Sequence, residues 1–332
     1  MTEKTPPATS TDFRTGNSRV LLQFLAMGLV WGASFLFMKV ALMGVSFGQV
    51  VWARLVLGTL ALGLIMLIGR YRLPREPVVY LHFLVIGVVG GVLPYLCFAW
   101  AEQYVSSSLA SIYNATTPIM TALMATLAFR VERLDRNQVL GVGLGILGTV
   151  VIIGPWAYAA LTGDLLGQFA CLLAALCYGF TFGYTRRFLS SRSIQGVPFA
   201  FLQIGMGAVV ILLLSPVVAF SPLALTLPIV LSLVALGALG TGLVYVWSIN
   251  VLRSWGPTAA STVTYITPVV GVLLGVLVLG DRFEWNAPVG AAVVLLGILL
   301  TQKRIRLLVS GRAGLGQPGL GQAVSPDPAP KK

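Results

Sequence analysis

Ser107, Ser111, Asn114, Pro118, Thr121 and Ala125 recur at spacings of three and four inside one apolar stretch. Ser261, Thr264, Pro268, Gly271 and Gly275 repeat the pattern about 150 residues later. Such spacing places each set on one face of a helix. Pro118 and Pro268 lack an N–H, so the carbonyls four residues back, at Asn114 and Thr264, lose their helical partners. In a medium without water those carbonyls need a neighbouring helix, a hydroxyl, a trapped water or a ligand. The chemistry on offer is binding. The face is either a close packing seam between helices or the wall of a substrate path. Ser111, Asn114, Thr117, Ser261, Thr264 and Tyr265 are the path candidates, with Pro118 and Pro268 as helix kinks.

Aromatic residues form a second group. Trp31 and Ser34 share a helix face, as do Tyr178 and Thr181, and Tyr95 and Tyr245 lie in two further apolar stretches. Rings with a polar edge suit an organic ligand that has apolar and polar parts. Trp52, Trp100, Trp255 and Trp285 fit an interfacial belt instead. A third group is charged: Lys39, Arg54 and Glu102. All three fall toward one end of their apolar stretches, with Arg54 deepest, about 10 Å in at 1.5 Å per residue. They are expected to form an outer vestibule that gates or attracts charged substrate; snorkelling to the surface is the alternative. No carboxylate falls at the centre of an apolar stretch. Coupling is thereby left open among facilitated diffusion, exchange, and protons handled at Glu102. Glu132 and Asp281 are expected to cap the helices that follow them.

Catalytic and metal chemistry find no support. Cys97, Cys171 and Cys177 sit in apolar stretches and read as small apolar side chains, and His82 is the lone histidine. No metal site and no cofactor is expected. The run GLGILG at 143–148 matches a dinucleotide fingerprint but follows no strand, so Gly141 and Gly145 read as a helix-packing face. The sequon at Asn114 lies inside an apolar stretch. Without a phosphate-binding loop, ATP-driven transport by this chain alone is excluded.

The elements that hold these residues follow from composition. Of 332 residues, 57% are hydrophobic and 10% charged, against about a quarter charged in a soluble domain. The apolar residues come in blocks of about 20, the length that spans a bilayer. An all-α membrane protein is expected. Ten spans fit, at about 20–43, 48–68, 79–103, 105–129, 137–154, 165–186, 197–219, 227–252, 257–279 and 287–303. Alternate loops carry Arg70, Arg72 and Arg75, Arg130, Arg133 and Arg136, Arg186, Arg187 and Arg192, and Arg253. The opposite loops carry only Arg282, so both termini are expected in the cytoplasm. The net charge of +12 is then a loop signal, and no nucleic-acid partner is expected.

The chain also repeats itself. At an offset of 150, Ser111, Thr117 and Pro118 match Ser261, Thr267 and Pro268. At 147, Gly32 and Phe35 match Gly179 and Phe182, and Trp100 matches Trp247. After a one-residue gap, Asn137, Gly141 and Gly148 match Asn286, Gly290 and Gly297. The organisation expected is an unstructured cytoplasmic segment 1–19, a five-helix repeat 20–154, a second repeat 164–303, and an unstructured tail 304–332. Five is odd, so the second repeat is inverted, as in carriers that work by alternating access.

WGASFLFMKVAL, SLASIYNATTPIMTALMA through VERLDRNQVLGVGLGILGTVVI, and AASTVTYITPVVGVLLGVLVLGD resemble the EamA family of the drug/metabolite transporter superfamily. The resemblance covers nearly all of residues 20–303, although Asp281 stands where that family usually has a glutamate. It implies a ten-helix permease of the bacterial inner membrane, typically an exporter of amino acids or other small metabolites. The expected partners are a small-molecule substrate and the lipid bilayer, with the chain monomeric or weakly dimeric. An intramembrane enzyme would need a convergent polar cluster at depth, and a sensor or scaffold would usually carry a soluble domain; a channel stays open.

Overall fold

The computed structural model describes residues 10–154, 163–260, 263–282 and 284–302. Every regular element among them is a helix. In chain order these are α1 (Ser10–Ala41), α2 (Phe47–Ile68), α3 (Pro77–Ala101), α4 (Ser107–Asn114) and α5 (Thr117–Leu123, running on to Ala128). Next come α6 (Arg136–Ile153), α7 (Gly163–Phe188), α8 (Gly196–Leu213) and the short α9 (Ser215–Val218). The chain continues with α10 (Leu227–Ala260), α11 (Val263–Leu274, running on to Leu279) and α12 (Asn286–Thr301). Seven of these, α1, α2, α3, α6, α7, α8 and α10, are long and apolar enough to cross a membrane. The chain is therefore a multi-span helical membrane protein. Helix α1 starts inside the segment expected to be unstructured, while the tail from 303 onward lies outside the described residues.

Local sequence sets the ends. Ser46 and Gln49 form a reciprocal capping box at the start of α2, and Asp135 and Gln138 form another at α6. Asp135 therefore caps α6, not Glu132 as expected. Glu132 instead pairs with Arg186 at 2.6 Å, on a surface where such a pair contributes little. Gly154 ends α6 at φ 60°, a left-handed conformation natural to glycine.

The halves match in finer detail than their sequences. Among the described residues four helices widen to π geometry, over Val88–Val92, Met124–Ala128, Ala235–Leu243 and Gly275–Leu279. The first and third of these lie about 147 residues apart, and the second and fourth 151. Packing pairs obey the same exchange. Helix α1 packs on α11 and α10, while its counterpart α7 packs on α5 and α3. Helix α2 packs on the π stretch of α10, and its counterpart α8 on the π stretch of α3. Gly32 lets α1 approach Val270 and the Thr267 carbonyl; Gly179 lets α7 approach Met120 in the same way.

Helices α6 and α12, related by the repeat, pack on each other. Gly141 and Gly148 face α12, and Gly290 and Gly297 face α6; Gly145 lends its backbone to the contact with Gly297 and turns its open side to Ile119 of α5. Both ends of this pair are closed reciprocally. The Gln138 amide donates to the Thr301 carbonyl at 3.1 Å, and the Asn286 amide to the Ile152 carbonyl at 3.0 Å. Each helix start thus satisfies an orphan carbonyl at the end of its mate.

A paired substitution tests this seam. A Cβ at Gly148 meets the Val294 nitrogen at 2.7 Å and the Gly290 oxygen at 2.8 Å, both rigid backbone. Gly148→Val is expected to cost at least the roughly 1–3 kcal/mol of core overpacking and to lower the melting temperature in detergent. At Gly143 a Cβ meets nothing within 4 Å. Gly143→Ala is expected to be neutral or to stabilise the helix by roughly 0.5–1 kcal/mol. Equal melting shifts in the two variants would contradict the close-packed seam.

Candidate functional site

A cavity of about 200 Å³ lies among α1, α2, α3, α4, α5, α7, α10 and α11. Trp31, Ser34, Tyr95, Asn114, Thr117, Tyr178 and Tyr245, all expected on the substrate path, line it. Two ring pairs shape its walls. Trp31 meets Tyr245 edge-on with centroids 6.1 Å apart, and Phe98 meets Tyr178 at 6.2 Å. At the offset of 147, Trp31 corresponds to Tyr178 and Phe98 to Tyr245, so one ring pair is the repeat image of the other. Trp31 is held by donating its indole N–H to the Gly240 carbonyl at 3.2 Å, inside the π stretch of α10. Ser34 and its counterpart Thr181 both donate to the carbonyl four residues back, at Val30 and Cys177.

The first Thr-Pro centre is a break, where only a kink was expected. Helix α4 ends at Asn114, the chain turns through Ala115 and Thr116, and α5 restarts with Pro118 in its first turn. There a proline costs nothing, since its N–H would be an orphan anyway. At the break the Tyr113 carbonyl accepts from both the Thr116 N–H, at 3.0 Å, and the Thr116 hydroxyl, at 2.7 Å. The Asn114 carbonyl accepts no hydrogen bond among the described residues, and Asn114 lines the cavity. At Pro268 the helix runs through. The residue matching Thr116 there is Ile266, which has no hydroxyl to offer.

The polar stripe before the break splits in two. Ser107, Ser108 and Ser111 press against Gly271 and Gly275 of α11, so this part is a packing seam. Asn114 and Thr117 belong to the cavity, where the Thr117 hydroxyl has no hydrogen-bond partner. Asp281 closes the seam. Its carboxylate accepts from the Ser107 hydroxyl at 3.1 Å and the Ser108 N–H at 3.0 Å. It therefore caps α4 in the other half, where a cap on the helix after it was expected.

Of the three expected vestibule charges, one lines the cavity. Arg54 lines the cavity, 7% exposed. Its Nε donates to the Thr241 hydroxyl at 3.0 Å, and its guanidinium sits 3.9 Å above the Tyr95 ring. Neither of the two ion pairs among the described residues involves it. Lys39 instead donates to the carbonyls of Glu102 and Val105, and the Glu102 side chain is fully buried.

Other expected residues lie off the cavity. Ser111 is in the seam, Thr181 packs on Gly90, and the Tyr265 hydroxyl donates to Gln302 at 2.6 Å. Ser261 lies outside the described residues, as does the side chain of Thr264. The sequence reading missed Phe35, Met38, Phe98, Phe182 and Thr267 as lining residues. Phe98 had a usable signal, because it matches Tyr245 at the repeat offset. Among the described residues no group of His, Cys, Asp and Glu is arranged to hold a metal ion.

A family model described as the EamA-like transporter family matches residues 18–154 and again residues 165–302. The uncharacterized transporter YoaV of Bacillus subtilis is 25% identical over 85% of this chain and 96% of its own length. A probable terminal-alkyne amino-acid exporter of Streptantibioticus cattleyicolor is 27% identical over 83% of this chain and 91% of its own. One solved crystal structure aligns with a TM-score of 0.58 over 85% of this chain and 96% of its own, at 20% identity, and so shares the fold.

The break at Thr116 gives a direct test. Thr116→Val keeps the shape and removes one of the two hydrogen bonds to the Tyr113 carbonyl, the Thr116 N–H remaining, which is expected to cost about 0.5–1.5 kcal/mol. Thr116→Ser keeps the bond and should melt closer to the parent. Thermal melts in detergent that rank serine with valine would show that the hydroxyl does not hold the break.

Proposed function

The chain belongs to the EamA-like transporter family, and from that premise we propose that it is a secondary permease for a small organic metabolite of the amino-acid class. It moves this substrate outward across the bacterial inner membrane by alternating access. The observation that carries the reading is Arg54, a buried guanidinium without an ion-pair partner among the described residues, in an aromatic-walled cavity between the two halves. Aromatic walls alone would also suit an organic cation. A second positive charge about 6 Å from Arg54 would be disfavoured by roughly 3 kcal/mol at an effective dielectric of 20. A carboxylate is favoured by the same field and matches the donor fork of arginine. The side group of the substrate then lies against Trp31, Tyr178 and Tyr245, and Asn114 and Thr117 offer polar groups to its amino end. Outward movement is supported by the exporter relative and by the family resemblance.

The carrier form of this reading comprises ten crossings, with α4 and α5 together making the fourth, and two inverted halves, residues 20–154 and 164–303. The swapped packing pairs and the matching π stretches support it. Both termini lie in the cytoplasm, a placement supported by the arginine-rich loops. A C-terminal fluorescent-protein fusion is then expected to fluoresce, and a C-terminal alkaline phosphatase fusion to be inactive. The opposite pair of results would reverse the orientation.

Substrate counterflow in proteoliposomes, against a panel of amino acids, purines and quaternary amines, tests the function. Saturable exchange is expected for amino acids with apolar side groups, and it should be lost for their methyl esters. Arg54→Gln is expected to raise KM roughly tenfold or more, the loss of one charge-assisted hydrogen bond, with maximal rate and melting temperature little changed. Exchange of quaternary amines in preference to amino acids, or an unchanged KM in Arg54→Gln, would overturn the assignment.

A further inference from the structure

Glu102 ends α3 and has no exposed surface. Neither of its carboxyl oxygens has a hydrogen-bond partner among the described residues. The charged and titratable groups facing it come from every element around it. Lys39 of α1 gives its ammonium protons to the main-chain carbonyls of Glu102 and Val105, and so leaves the carboxyl itself unbonded. Asp281, after α11, is occupied by Ser107 and Ser108. Arg54 of α2 is engaged with Thr241 and Tyr95, and Cys171 of α7 is a buried thiol. An ionised carboxylate without a single hydrogen bond is costly to bury, whereas a neutral carboxylic acid costs far less. Lys39 and Arg54 pull the other way, since nearby cations favour the ionised form. Opposed influences of this kind make a group whose protonation follows its hydration.

Geometry ties that hydration to the cavity. Tyr95, Phe98 and Glu102 fall at i, i+3 and i+7 of α3, one face of the helix. Trp31, Phe35 and Lys39 advance in step along α1. Phe35 and Phe98 both line the cavity and meet edge-on with centroids 5.5 Å apart. One turn further along each helix come Lys39 and Glu102. The ring pair therefore stands between the cavity and the carboxyl. Helices from both halves enclose Glu102, since α1, α2 and α3 belong to the first half and α7 and Asp281 to the second. Any motion of one half against the other changes its access to water.

We propose that Glu102 is a proton-binding site that couples transport to the proton gradient. The site is a neutral acid while the Lys39 end is closed and the Phe35–Phe98 pair is shut. Parting of the helices at the Lys39 end hydrates the carboxyl and exposes it to that side. Parting of the ring pair exposes it to the cavity instead. In either step the carboxyl O–H bond breaks, the proton leaves on water, and the carboxylate remains; re-closure takes one proton back. The coupling rests on the carrier reading above, whereas the proton site itself does not.

The probe for the site is the proton, read by infrared difference spectroscopy of the full-length protein in liposomes. At neutral pH the carbonyl band of a neutral carboxylic acid is expected in the wild type and absent in Glu102→Gln. Should that variant fail to fold, wild-type protein with isotope-labelled glutamate gives the same reading, because among the described glutamates Glu76 and Glu284 are exposed and Glu132 pairs with Arg186, which leaves Glu102 as the buried one. No neutral-acid band at neutral pH overturns the site, whatever the substrate. Coupling is read with radiolabelled L-phenylalanine. A pH difference of one unit is expected to change its accumulation ratio by up to about tenfold in the wild type, the value for one proton per substrate. Glu102→Gln should keep exchange at equal pH and lose the response. A wild type indifferent to the gradient, or a variant that responds as the wild type does, overturns the coupling. Absence of any L-phenylalanine exchange alongside an intact neutral-acid band would count against the transport reading and leave the proton site standing.

Discussion

A polar group inside a bilayer must find its partner within the chain, because the hydrocarbon offers none. Most of this structure can be read as a response to that constraint. The Gln138 and Asn286 amides close the carbonyl ends of each other's helices. Asp281 crosses from one half to the other to satisfy the start of α4, and Lys39 reaches over to two carbonyls just past the end of α3. Ser34, Thr149, Thr181, Thr267 and Thr301 each fold a hydroxyl back on the carbonyl four residues earlier. Against this background the unpaired groups among the described residues stand out: the Asn114 carbonyl, the Ser111, Thr117 and Thr126 hydroxyls and the Glu102 carboxyl. Asn114 and Thr117 line the cavity. Glu102 sits one helical turn beyond its Phe35–Phe98 wall. Ser111 lies in the seam against Gly271, and Thr126 lies off the cavity.

The two halves agree in backbone and disagree in charge. Ring pairs, glycine contacts and π stretches recur at the repeat offsets. The residues matching Arg54, Tyr95 and Glu102 are Phe201, Gly242 and Ile249, all without charge. A symmetric aromatic wall can hold an apolar group in either orientation. One guanidinium on one side removes that degeneracy and gives the site a polar end. The same division appears at the two Thr-Pro centres, where Thr116 sustains a break and Ile266 does not.

The coarse architecture was legible because its signals are long. Apolar blocks and alternating arginine loops sum over about twenty residues each, and repeat offsets sum over a whole half. Seven of the twelve path candidates line the cavity for the same reason, since polar or aromatic residues inside an apolar block have few other places to go. What stayed hidden depends on side-chain reach across helices. Spacing along α2 measured the depth of Arg54 but not its turn toward Tyr95 and Thr241. Asp281 was assigned to its nearest helix in sequence, whereas its carboxylate reaches α4 some 170 residues away. Ser111 shared a face with Asn114, yet only contact with Gly271 shows that the face is divided between seam and cavity. The two Thr-Pro centres differ two residues before the proline, where Thr116 adds a hydroxyl bond and Ile266 has none to offer, a detail no helical period contains.

The asymmetry bears on how such a carrier is driven. Two inverted halves with equivalent backbones can exchange conformations, and the two resulting states then have similar packing energies. A preference between states of that kind is set by a few differential interactions, and about 1.4 kcal/mol shifts a population ratio tenfold. Apolar contacts that recur in both halves cancel in that comparison. Arg54, Lys39, Glu102 and the Asp281 cap do not cancel: uncharged residues match Arg54 and Glu102 in the second half, the match of Lys39 is the surface Arg186, and the first-half match of Asp281 is Glu132, which pairs with Arg186 instead of capping a helix. In the carrier reading, a handful of polar residues near one end of the bundle then outweighs the large symmetric core in setting which side opens. On that reading a burial change at one carboxyl would suffice to tie the cycle to the surrounding proton concentration, while changes of similar size in the symmetric seams would alter stability alone.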